Sequence, residues 1–113
     1  MSRAARDVLP RDAAPLFAAL GDPTRLALLS RLNDGLPRSV VQLTEGSGVT
    51  RQAISKHLRV LEAARMVRSE RVGRETLFAF RRQGIDEARA CLARASAQWD
   101  DAADRLKDFL RTR

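Results

Sequence analysis

The feature that most constrains this chain is a break at Gly46-Ser47-Gly48, followed by Thr50 and an uninterrupted helix-forming run from Arg51 to about Ala64. Thr50 is a good N-cap, because its hydroxyl can accept from an otherwise unpaired amide in the first turn. Ala53, Ile54, Leu58 and Leu61 keep helical spacing and predict the inward face. Upstream, Ser39 can cap a short helix carrying Val40, Val41 and Leu43. Two helices across a tight glycine-containing turn predict a helix-turn-helix.

The rest of the chain builds a frame around that pair. A first helix is expected from about Asp12 to Leu20, with Asp12 as its cap and Pro15 in its first turn, ended by Gly21. Asp22-Pro23 restarts a helix, with Asp as cap and Pro at the first helical position. Leu26, Leu29 and Leu32 form its stripe, and Asn33-Asp34-Gly35 stops it. Leu36-Pro37-Arg38 reads as a linker. Val67 to Arg71 and Thr76 to Phe80 suit two short strands with Val72-Gly73-Arg74-Glu75 as the tip between them. From Ile85 to Leu110 the pattern is helical again. The expected order is α-α-α-α-β-β-α: mainly α with a small β-hairpin wing. Residues 1–11 read as a flexible arm, 12–82 as a winged helix-turn-helix, and 83–113 as a long helix belonging to the same domain.

The face of the central helix opposite its apolar side carries Arg51, Gln52, Ser55, Lys56 and Arg59. Arginine can bond guanine O6 and N7 together, and glutamine can do the same at adenine N6 and N7. Lysine and further arginines neutralise phosphates, and the helix start offers its amides to them. Between Val49 and Arg82 there are nine basic and three acidic residues, an excess of six out of the chain's net +7. So local a basic patch is the footprint expected for a polyanion; the rival reading is an ordinary arginine-rich solvated surface. Thr50, Arg51, Gln52, Ser55, Lys56, His57 and Arg59, with Arg71 and Arg74 on the wing, are the candidate contacts to double-stranded DNA. His57 borders the apolar face, where a local hydrogen bond or a phosphate contact suits it.

Ile85, Leu92, Trp99 and Leu106 recur every seven residues, and so do Ala88, Ala95, Ala102 and Phe109. Their 3-4 spacing predicts an apolar seam on a helix too long for so small a domain to cover. Part of it should meet a second copy of the chain. The expected interface comprises Leu16, Phe17 and Leu20 from the first helix and Leu92, Ala95, Trp99, Leu106 and Phe109 from the last. Trp99 is its anchor.

One cysteine, Cys91, and one histidine in 113 residues leave no intramolecular disulfide and no thiolate or imidazole metal site. Cys91 reads as a packing residue, with redox sensing as its other possible use. No catalytic triad can be assembled and no glycine-rich phosphate loop follows a strand, so the reading is of a protein that is not an enzyme and needs no cofactor. No apolar run is long enough for a membrane span, and the start lacks a secretory signal, which together point to the cytoplasm.

Asp22-Pro23-Thr24-Arg25-Leu26, Ser55-Lys56-His57-Leu58-Arg59-Val60-Leu61 and the segment Val67 to Glu75 resemble the ArsR/SmtB group of bacterial winged-helix repressors. The likeness covers roughly Pro15 to Phe80. It implies a homodimer that binds a promoter palindrome, represses, and is released by an inducer whose identity the sequence does not give. Two departures stand out. The family usually has glycine after Ala64, where this chain has Arg65. Its metal sensors carry paired cysteines on the third helix or Asp, His and Glu on the last one; this chain resembles the metal-independent branch. The alternative function is a winged-helix module that docks on proteins without binding DNA.

Overall fold

The structure is a computed structural model that describes residues 13–112. The expected arm at 1–11 and the Asp12 cap lie outside the described residues. Helix α1 (Ala14–Leu20) has proline in its first turn, and Gly21 closes it by donating to Ala18 O at 3.1 Å. Helix α2 (Pro23–Arg31) starts as the Asp-Pro pair requires, with Asp22 Oδ2 accepting from Arg25 N at 3.0 Å. Leu28, Leu29 and Leu32 are buried, whereas Leu26, expected in the same stripe, is exposed.

Arg38–Ser39 forms a two-residue strand, β1, where a linker was expected. Ser39 then caps α3 (Val40–Thr44) with a reciprocal box. Gln42 N donates to Ser39 Oγ, and Ser39 N donates to Gln42 Oε1. After the turn, in which Gly46 and Gly48 both have φ of +72°, Thr50 Oγ1 accepts from Ala53 N at 3.2 Å and α4 (Arg51–Ala63) begins.

Strands β2 (Val67–Val72) and β3 (Glu75–Phe80) pair antiparallel from Val67↔Phe80 to Val72↔Glu75, leaving Gly73-Arg74 as a two-residue turn with glycine first. β1 pairs with the other edge of β3, Arg38↔Phe78 and Ser39↔Leu77, so the sheet order is β1-β3-β2 and β2 is a free edge. Leu16, Leu32, Leu43, Ile54, Leu58, Leu61, Met66 and Phe78 belong to one core that ties the helices to the sheet. At about 25 cal/mol per Å² of apolar surface, each large buried aliphatic side chain contributes roughly 1.5–3 kcal/mol.

Helix α5 (Arg82–Arg111) starts earlier than expected and contains Gly84 in its first turn. Glycine there serves a close approach. A Cβ at position 84 would lie 2.2 Å from Ala64 O and 2.8 Å from Met66 Cγ. The corner that Gly84 meets is the end of α4, closed as a Schellman turn: Met66 N donates to Leu61 O at 2.9 Å, and Arg65 N donates to Glu62 O at 3.0 Å. Arg65 occupies its left-handed position with φ +58°, the one non-glycine residue with positive φ among those described. A side chain there costs about 1 kcal/mol relative to glycine.

The apolar repeat of α5 divides. Ala88 and Ala95 are buried within the chain and Ile85 packs partly on the core, while Leu92, Trp99, Leu106, Phe109 and Leu110 stay exposed. At roughly 100° per residue, Ala95 and Leu92 lie about 60° apart around the helix, so one chain covers the first edge of the stripe and not the second. From Asp100 to Arg111 every residue is exposed. With 30 residues α5 is about 45 Å long and runs past the body of the domain. Among the described residues no helix is long and apolar enough to cross a membrane.

Candidate nucleic-acid interface

Helix α4 is sharply two-sided. Ile54, Leu58 and Leu61 are completely buried and fix its rotation, which turns Arg51, Gln52, Lys56 and Arg59 to solvent. Thr50, Arg51, Gln52, Ala53, Ser55, Lys56 and Arg59 together line one open surface depression at the start of the helix. Six of the seven candidate residues around this helix are thus brought together. The site is shallow and cationic, with side-chain hydrogen-bond donors of four kinds: hydroxyl, guanidinium, carboxamide and ammonium. Such an arrangement suits an extended polyanion better than an enclosed small molecule.

His57 is the exception. Its ring turns away from that depression toward α2, with Nδ1 3.1 Å from Arg25 Nη1 and 3.8 Å from Asp22 Oδ2. Of its two expected uses, the structure displays the local hydrogen bond. Arg25 is the partner that sequence reasoning did not single out. Its Nε and Nη2 also donate to Ala19 O at 2.9 Å and Ala18 O at 3.0 Å, closing the end of α1. One guanidinium therefore joins α1, α2 and α4. Asp22 beneath it is held below the usual carboxylate range, chiefly because its oxygen accepts from Arg25 N.

The wing is set against α4 by Ser69, whose hydroxyl donates to Glu62 Oε2 at 2.6 Å. From Arg68 to Glu75 the hairpin is exposed on both faces. Arg74 lies in the turn, and Arg71 Nε donates to Gly73 O at 3.3 Å, bracing the tip from inside. Both wing candidates are therefore presented to solvent beside a basic helix.

The candidate interface residues fall into three sets. Leu92, Trp99, Leu106 and Phe109 are exposed, between 48% and 59%. Leu16 and Ala95 are buried in their own chain, at 4% and 0%, which corrects the expectation that their side chains meet a partner. Their small or inward positions are already used for packing within one copy. Phe17 and Leu20 are half-buried against the same core.

Residues 20–70 match the family described as a helix-turn-helix domain. The chain is 38% identical over 76 residues to an uncharacterized HTH-type transcriptional regulator of Bacillus subtilis, YuzN, covering 62% of this chain and 83% of that one. It is 38% identical over 66 residues to the HTH-type transcriptional repressor SmtB of Mycobacterium tuberculosis, covering 58% of this chain and 48% of that one. Among solved structures, an ArsR-like transcriptional regulator from Rhodococcus sp. RHA1 superposes with a TM-score of 0.75 at 35% identity, over 87% of this chain and 92% of that one.

Proposed function

The chain belongs to the ArsR/SmtB family of winged helix-turn-helix transcriptional regulators, and we propose that it acts as a homodimeric repressor whose two α4 helices read a palindromic DNA operator. The observation that carries this reading is the single solvent-facing surface of Arg51, Gln52, Ser55, Lys56 and Arg59. In this reading Arg51 and Gln52 contact base edges, Lys56 and Arg59 neutralise phosphates, and Arg71 and Arg74 reach the flanking backbone or minor groove. Residues 12–82 supply the DNA-binding unit and 83–113 the dimer helix.

The dimer reading rests on the exposed row Leu92, Trp99, Leu106 and Phe109 on a helix that outruns its own domain. Two copies joined there carry their α4 helices about a two-fold axis, as half-sites roughly one turn of DNA apart require. Repression follows from occupying a promoter. The regulator works in the cytoplasm, without catalysis and without a resident cofactor. Metal independence rests on the donor inventory of one cysteine and one histidine.

The docking-module alternative calls for an apolar face on α4, and the face is cationic. The test is footprinting on the DNA upstream of the protein's own coding region, with sedimentation of the free protein alongside. A protected palindrome and a dimer are the expected results. A monomer that protects no duplex at low ionic strength overturns the proposal.

A further inference from the structure

The end of the reading helix is clasped by the start of the dimer helix through both backbone and side chain. Gly84 N donates to Arg65 O at 2.7 Å, and Arg81 N donates to Met66 O at 2.8 Å. From the same corner the Arg65 guanidinium crosses to α5 and forks onto Glu87, Nε to Oε1 at 3.3 Å and Nη2 to Oε2. Gln83 Nε2 steadies the carboxylate from within α5 at 3.2 Å. The Arg65 backbone is left-handed, where glycine would sit without strain. Both partners of the fork are only half-buried, so core filling does not explain the arginine. A planar, two-pronged contact restricts angle in a way that a point charge does not.

We infer that Arg65 is a positioning residue for DNA reading: its fork to Glu87 fixes the angle between α4 and α5, and so the separation of the two reading helices in a dimer. This rests on the homodimeric reading above. Its consequence is selection of the spacing between half-sites, a property that neither recognition surface has alone.

The experiment uses the full chain and the duplex it enriches from a randomised pool. Affinity is measured for that duplex, for versions with one or two base pairs added to or removed from the centre, and for a single half-site. Arg65→Gly relieves the left-handed backbone, so its unfolding midpoint should not fall. It should bind the parent spacing about three- to fivefold less tightly than wild type, lose most of the preference over neighbouring spacings, and leave half-site binding nearly unchanged. Glu87→Gln leaves the backbone alone and alters charge in the opposite sense, yet should flatten the spacing profile in the same way. Retention of the wild-type profile by both variants overturns the inference while leaving the regulator assignment intact. Should Arg65→Gly fail to fold, the Glu87→Gln profile decides. If the wild type enriches no duplex, the functional proposal falls and this inference with it.

Discussion

Arg25 Nη1 and His57 Nδ1 are 3.1 Å apart, and because a guanidinium only donates, the imidazole nitrogen facing it is an acceptor. The rotation of α4 is thereby referred to α1 and α2 through one side chain. Arg25→Ala removes this bond and both contacts to the α1 carbonyls. It should lower unfolding stability by about 2 kcal/mol, and His57→Ala by about 1 kcal/mol. In urea denaturation the double variant should cost less than the sum of the two; strict additivity would show that the contact contributes nothing.

Asp22 gives that joint a pH dependence. Its carboxyl titrates below the ordinary 3.8 in the folded chain, so it stabilises the fold above that value and the benefit fades as pH falls through the lowered one. Asp22→Asn keeps an oxygen for the Arg25 amide but cannot titrate. Thermal midpoints should favour wild type near pH 6 and draw together as pH falls below the ordinary 3.8; parallel curves throughout would rule the carboxylate out.

Position 84 has no room for a methyl group, since the nearest obstacle is the Ala64 carbonyl in the backbone. Gly84→Ala should therefore cost about 1–3 kcal/mol by forcing α5 off the α4 corner. Equilibrium unfolding checks this, and an unchanged midpoint would mean that the two helices separate freely there.

The two halves of the proposed DNA contact have different signatures. Arg51→Ala should cost about 1–3 kcal/mol at the preferred sequence and little on random DNA. Arg74→Ala should weaken all sequences alike and reduce the slope of log affinity against log salt by about 0.9. Binding titrations at several salt concentrations separate the cases.

Trp99 stands 54% exposed in one copy. If it anchors the dimer, Trp99→Ala should cost about 2 kcal/mol of association or more, close to thirtyfold in the dissociation constant. Sedimentation across a dilution series reads this directly, and far-ultraviolet circular dichroism should not change.

Much of this was legible in the residues because the signals were local. Asp22-Pro23, Ser39, Thr50 and Gly73 each act within a few residues of themselves, and helix starts and the hairpin followed from them. What escaped is decided across the chain. β1 exists because β3 offers Arg38 and Ser39 an edge. Gly84 reads as a helix breaker until Ala64 is placed against it. The α5 stripe is periodic throughout, and only the packed chain separates Ala95 inside from Leu92 outside. Arg25 was visible as part of a family pattern, but its hold on His57 spans 32 residues.

The unpaired edge of β2 has a consequence for crowding. A bare strand edge is a template on which another molecule can add a strand, and repressors concentrate wherever their sites cluster. Along this edge Arg68, Glu70 and Arg71 place charge at three of six positions, and their neighbours are mostly exposed as well. Wings that drift together must bury those charges before backbone can zip to backbone. The hairpin is thus guarded against amyloid-like stacking by side chains on the very strand that carries Arg71.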